Sequence, residues 1–441
     1  MKKTSSLVIA AAAVAMALVS CTKEITANKE EGKGINADGT RTLTVSFATK
    51  ATKTTLLDDR ITPVWAEGDQ ISLNGTPYDV PAEAVGTSTC TITTGIQGDI
   101  TAVYPADAYQ STAPYFKVKD KQDGSFGCAN ICVAQAAAGV NTLTFENVTA
   151  VFEVTVPDGT TKLTVTSLGK IDSETGQRGK DADDIVAINT TETGAAANVI
   201  TVEKEDKGAF EEGPVYVAVA VDPENGVLLA DLNFDIQYKD SESKEHYAQG
   251  GVSPNYIKSK GQEPLEYKAA AGTIYTPVLH EYVLLLVDGK KWATMNVGSS
   301  LPTDYGLYFA WGATTGHEAN EERTAFKESY SFDGANLPFA VLNNEGAPRF
   351  TKYYPSDQPY RADNFPGDTK TTLYLEDDAA FWNWGGAWRM PTKDDFDTFI
   401  LGASYTSGNF EHKGVTFPPA GYGQSNTIRV ASNGYYWSSS L

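Results

Sequence analysis

"LTFENVTAVFEVTV", residues 143–156, places Phe152, Val154 and Val156 on one side of an extended chain. Period-two alternation of this kind marks a half-buried strand. The same rhythm recurs in "TLTVSFA", where Leu43, Val45 and Phe47 point inward and Thr44 and Ser46 outward. It returns in "VYVAVAV" at Val215, Val217, Val219 and Val221, and in "DLNFDIQY" at Leu232, Phe234, Ile236 and Tyr238. Between these runs stand Gly, Pro, Asn and Asp clusters such as "LNGTPYD", "VPDGTTK" and "VDPENG", which punctuate strands with turns. No stretch between 42 and 272 has the apolar spacing of an amphipathic helix longer than about two turns. The pattern predicts β-sandwiches. A region of roughly 230 residues fits two such sandwiches better than one, spanning 42–157 and 158–272, with the break near "PDGTT" at 157–161.

Upstream, Lys2 and Lys3 precede the apolar run "LVIAAAAVAMALVS", the layout of an export signal. The run ends in Leu18-Val-Ser-Cys21, which resembles the bacterial lipoprotein box. Residues 1–21 are thus expected to be a signal peptide, with Cys21 lipidated and the protein held at the outer membrane through that lipid. No later segment has the eighteen or so apolar residues that a spanning helix needs. Residues 22–41, polar and containing Gly, read as a flexible tether or leader. With Cys21 set aside, Cys90, Cys128 and Cys132 allow one disulfide or three thiols. His246, His280, His317 and His412 are scattered and form no paired metal motif. A net charge of −21 argues against a nucleic-acid partner, which would need a basic surface to neutralise a row of phosphates.

The texture changes near "YKAAAGTIYTP", residues 267–277, and six of the seven tryptophans lie beyond it. In "DDAAFWNWGGAWRMPTKDDF", residues 377–396, Thr392 can cap a helix with Asp395 at its third position. Phe396, Phe399 and Ile400 follow at helical spacing, and Gly402 is a natural stop. A second short helix is expected from about Glu376 to Trp384. The turn between them would use Gly385 and Gly386 for unusual backbone angles. Trp384 and Trp388 are expected in the core, and Arg389 is expected as an internal hydrogen-bond donor. Residues 275–441 therefore read as a small α+β domain.

Three blocks, "KATKTTLLDDRITPVWAEGDQISL" (50–73), "AVYPADA" (102–108) and "NVTAVFEVTV" (147–156), resemble the fimbrillin family of exported pilins. That resemblance implies two tandem transthyretin-like β-sandwiches. It also implies assembly with other pilin subunits by β-strand addition, after cleavage of a leader behind a basic residue. Arg41 is the candidate cleavage site, with Lys50 and Lys53 as alternatives. Trp65 and the Gly68-Asp69 turn take a structural role in this reading.

Four further blocks resemble the Fibrobacter succinogenes major paralogous domain, a C-type-lectin-like module. They are "KWATMNVGSSLPTDYGLYFAWGATT" (291–315), "DDAAFWNWGGAWRMPTKDDFDTFI" (377–400), "FPPAGYG" (417–423) and "GYYWSSS" (434–440). The family continues for some tens of residues past the Trp-Ser-Ser motif, so the resemblance implies a domain short at its C-terminus. In "SDQPYRADN" Tyr360 stands where a calcium lectin needs an acidic ligand, and "WNW" lacks the matching Asp, so no metal and no cofactor is expected. There is no nucleophile elbow and no phosphate loop. Adjacent carboxylates such as Asp58-Asp59, Asp183-Asp184 and Asp377-Asp378 do not make a glycosidase pair. The expected role is recognition rather than catalysis. The chain would be a minor or tip pilin, or an adhesin, binding host or microbial glycan or protein. Trp311, Tyr354, Tyr360, Trp382 and Tyr422 are the candidate contacts. The alternative is a surface lipoprotein that stays on Cys21 without polymerising.

Overall fold

The computed structural model describes residues 35–48, 63–190, 196–222, 226–285, 289–328, 330–331, 336–354, 362–363, 367–368, 370–406, 408–429 and 433–440. Cys21, Lys50, Lys53 and Tyr360 lie outside the described residues. The protein is mainly β, with several sheets and a small α+β region. Two units emerge, each assembled from separate stretches of chain. The first contains Met1–Pro157, Val186–Leu228 and Lys268–Thr276, and the second Asp158–Ile185, Leu229–Tyr267 and Pro277–Leu441.

In the first unit, strands β1 (Arg41–Phe47), β2 (Gln70–Leu73), β3 (Thr76–Asp79), β4 (Thr89–Thr94), β5 (Ile100–Tyr104), β6 (Cys132–Ala136) and β7 (Thr142–Asn147) make one sheet. Their order is β3-β2-β5-β6-β7-β1-β4. The Tyr78 hydroxyl meets Thr94 Oγ1 at 2.8 Å and ties outer strand β3 to outer strand β4, so the sheet curls nearly into a barrel. Its interior holds Leu43, Val45, Phe47, Trp65, Ile71 and Phe145, with the Phe47 and Trp65 rings 4.3 Å apart. Trp65 leads through the Gly68 turn, at φ +84°, into β2. A second, three-stranded sheet sets β8 (Thr149–Val156) between Ile274–Tyr275 and a strand at Gly213–Ala220.

β1 is the inserted strand. It runs parallel to β7, pairing Val45 with Leu143, and antiparallel to β4, pairing Val45 with Cys90. Every other pairing in this sheet is antiparallel. Arg41, the candidate cleavage residue, opens β1 with its side chain fully buried. Its guanidinium donates to Asn141 Oδ1 at 3.0 Å, Gly98 O at 3.0 Å, Ala137 O at 2.9 Å and Val140 O.

The second unit is built on β9 (Thr160–Ser167), β10 (Leu232–Lys239), β11 (Glu245–Gly251), β12 (Val278–Leu284) and β13 (Lys291–Ala293), which lie side by side in that order. This sheet crosses the 272–275 position, so strands from both sides of the change in sequence texture share one hydrogen-bond ladder. Helix α1 (Ala379–Trp384) is capped by Asp378, whose carboxylate accepts from Phe381 N at 3.0 Å. The sequence suggested a start near Glu376, but Leu375–Asp377 forms a separate 3-10 turn ahead of the cap. Helix α2 (Lys393–Gly402) carries the capping box expected of Thr392 and Asp395, with both reciprocal bonds made. It ends at Gly402.

Candidate cleft in the second unit

Alternation along the strands of the second sheet separates an apolar from a polar face. On β9, Leu163 and Val165 are buried, while Thr164 and Thr166 line a cleft of about 690 Å³. On β10, Phe234 and Ile236 are buried, while Asn233 and Asp235 line the cleft. Strand register sets Thr164 beside Asp235, and Asp235 beside Gln249 of β11, in one row. Thr166 and Asn233 form the next row. The floor is therefore a lattice of hydroxyl, amide and carboxylate groups.

Aromatic side chains stand over this floor. Trp384, Trp388, Trp292, Phe396, Phe417 and Trp437 line the walls. Trp388 is pinned to the floor by its indole N–H, which donates to Gln249 O at 2.9 Å. His280 stacks on Trp384 at 4.4 Å, and burial pushes its imidazole down to about 4, so it stays neutral at physiological pH. Trp437, at the rim, is 55% exposed with its indole N–H held by Phe309 O at 3.0 Å.

The wall reaches the floor through the turn after α1. Gly385 and Gly386 have φ of +66° and +60°, the left-handed region open to glycine. A Cβ on Gly386 would stand 2.6 Å from both Asn233 Oδ1 and Gly250 O. Ala387 N donates to that same Asn233 Oδ1 at 2.9 Å. Gly386→Ala is accordingly expected to destabilise the protein by about 2 kcal/mol or more, combining a left-handed Ala with two steric overlaps. A chemical denaturation curve with an unchanged midpoint would contradict this account of the turn.

Hydrogen bonding at the floor is one-sided. The Gln249 amide oxygen accepts from Lys291 Nζ at 3.2 Å, and the Asn233 amide oxygen from Ala387 N. Those bonds orient both amides, yet neither NH₂ group donates to any described residue. Both residues are more than nine-tenths buried. The Thr164 and Thr166 hydroxyls are likewise without a side-chain bond among the described residues. Asp235 accepts from Tyr282 OH at 3.1 Å and from Lys291. At the rim, burial alone would raise the Asp395 carboxyl, but bonds from Lys290 and Thr392 N and the nearby Arg389 charge bring it down to about 2.

The aromatic residues suggested by sequence sit elsewhere. Trp382 is buried with Ala230, Leu375 and Phe381 and is not part of the cleft. Trp311 is half-buried, donates to Ser438 O at 2.8 Å and meets Tyr353 edge-on at 5.2 Å. Tyr354, also half-buried, stacks on Phe350 at 5.2 Å. Tyr422 is 39% exposed beside Tyr435, 4.9 Å away, and does not line the cleft. Arg389, read as an internal donor, does donate to Met390 O and pair with the buried Asp395, both at 3.0 Å, but its side chain is 42% exposed at the rim. The floor residues Thr164, Thr166, Asn233, Asp235 and Gln249 escaped the sequence reading. Asn233 and Asp235 stand at outward polar positions of the alternating run "DLNFDIQY", whereas Thr164, Thr166 and Gln249 lie in no run that alternation singled out.

Among the described residues, no group of three or more His, Cys, Asp and Glu side chains could hold a metal ion. No helix among them is long and apolar enough to cross a membrane. No protein-family model, curated protein or solved structure matches the chain.

Proposed function

We propose that this chain is a surface-exposed, fimbrillin-like lipoprotein, a minor or tip pilin or adhesin, that recognises a glycan in the cleft of its second unit. The observation that carries the reading is the cleft's chemistry: amide NH₂ and hydroxyl groups that find no partner among the described residues, beneath walls of tryptophan and phenylalanine. Sugar rings offer an apolar face to aromatic side chains and a fringe of hydroxyls to amides, so the two surfaces complement each other. Binding of the full chain to a glycan array tests this. Retention of no glycan would sink the reading.

Assembly by strand addition is favoured by β1. A strand at the end of a tether, inserted between a parallel and an antiparallel neighbour, can be exchanged for a strand of another subunit without rerouting the remaining chain. Cleavage after Arg41 would leave β1 in place, so a cut that opens the sheet has to fall beyond Phe47. The mature N-terminus of protein recovered from the cell surface decides the matter. A start beyond Phe47 is expected for an assembling subunit. Acylated Cys21 on all recovered protein would favour the alternative, a glycan-binding lipoprotein that does not polymerise.

A further inference from the structure

The glycan reading leaves open which class of glycan fits, and the charge of the cleft narrows it. Three cations line the cleft, Lys290, Lys291 and Arg389, against two carboxylates, Asp235 and Asp395. In a chain of net charge −21, a lining with an excess of positive charge runs against the overall composition. Lys291 is engaged by Asp235 and Gln249, and Lys290 by Asp395. Arg389 is engaged through one nitrogen: Nη1 donates to Met390 O and pairs with Asp395 Oδ2, both at 3.0 Å. Its Nε and Nη2 donate to no described residue. A guanidinium has five N–H donors in a planar fork that matches the two oxygens of a carboxylate.

The hydrogen-bonding capacity left over at Asn233, Gln249 and Arg389 therefore consists of donors. The NH₂ groups of Asn233 and Gln249 can only donate, as can the remaining edge of Arg389, while the threonine hydroxyls can do either. A matching ligand supplies acceptors and negative charge. Resting on the glycan reading above, we infer that the cleft takes an acidic saccharide, a uronic or sialic acid unit. Its ring packs on the aromatic wall, its hydroxyl oxygens accept from Asn233 and Gln249, and its carboxylate is held by Arg389.

Isothermal titration of the full chain tests this with two matched pairs, tetragalacturonate against its methyl ester and 3′-sialyllactose against lactose. At least one acidic member is expected to bind about tenfold or more tighter than its neutral counterpart, the size of one charge-assisted contact. That advantage should shrink as salt is raised. It should vanish in Arg389→Gln and partly persist in Arg389→Lys, which keeps the charge and loses the fork. Arg389→Lys keeps a charge beside the buried Asp395, whereas Arg389→Gln leaves only Lys290 to face it and is expected to lose some stability, so binding is compared under conditions where denaturation curves show both variants folded. Equal affinity for acidic and neutral members would overturn the acidic assignment and leave the glycan reading standing. Full acidic preference in Arg389→Gln would overturn the carboxylate–Arg389 contact. Absence of binding by every saccharide in the set overturns the acidic assignment, while the glycan array decides the glycan reading separately.

Discussion

Arg178→Met is expected to destabilise the second unit by about 3–5 kcal/mol, the usual range when one partner of a buried ion pair is removed. Arg178 Nη1 meets Asp231 Oδ1 at 2.7 Å, and the Asp231 side chain is almost wholly enclosed. Asp231 Oδ2 has no hydrogen-bond partner among the described residues, so the carboxylate relies on Arg178 for its compensation. The same guanidinium donates to Gly169 O at 3.1 Å, Ala230 O at 2.7 Å and Gly386 O at 3.2 Å, and lies over the Phe381 ring. Its loss would free the glycine turn that carries Trp388. The pH dependence has a definite sign. Burial raises the Asp231 carboxyl above its ordinary value despite the Arg178 charge. A raised acid costs stability once it must ionise, from its unfolded value upward. Without Arg178 the folded value rises further, so the variant should lose most near neutral pH and recover towards wild type near pH 4. Denaturation curves at the two pH values check this. Asp231→Leu added to Arg178→Met should restore much of the loss, because the stranded charge is gone. A deficit independent of pH, unrelieved in the double variant, would mean that Arg178 acts by packing alone.

Local chemistry was legible and long-range pairing was not. Leu43, Val45 and Phe47 are buried on β1 while Thr44 is exposed, as alternation requires. The Thr392–Asp395 capping box is a contact across three residues, and sequence spacing suffices to see it. Gly385 and Gly386 were legible as a turn of unusual angles. That Gly386 also lies against Asn233 and Gly250 was not, because the contact depends on how distant strands are ordered. The cleft floor is hidden for the same reason: Thr164, Asp235 and Gln249 become neighbours only once β9, β10 and β11 are aligned. The tryptophans show the limit from the other side. Trp384 and Trp388, expected in the core, do pack in one buried cluster with Tyr282, but that both rings also wall a cleft while Trp382 does not was beyond what composition shows.

A chain beginning at Thr54 is expected to lose more stability than any single substitution in the first unit would cause. The deletion removes Leu43, Val45 and Phe47 from the core, each worth about 1.5–3 kcal/mol of apolar burial. It also opens a slot between β4 and β7, exposing two rows of backbone donors and acceptors that β1 now satisfies. An empty slot with three side-chain sockets at alternate positions is the complement of a strand with bulky residues at the same spacing. A synthetic peptide of residues 41–47 should therefore raise the unfolding midpoint of the truncated chain in proportion to the logarithm of its concentration. A peptide with Asp at positions 43, 45 and 47 should not, since it would carry charge into the sockets. In the absence of peptide, the truncated chain should self-associate if a second copy can present a strand to the slot. Should it keep the full-length midpoint and ignore the peptide, β1 is dispensable and strand addition through this slot is the wrong account. Should the peptide restore the midpoint, the slot is real and can be refilled by an added strand, which is what strand addition through it requires.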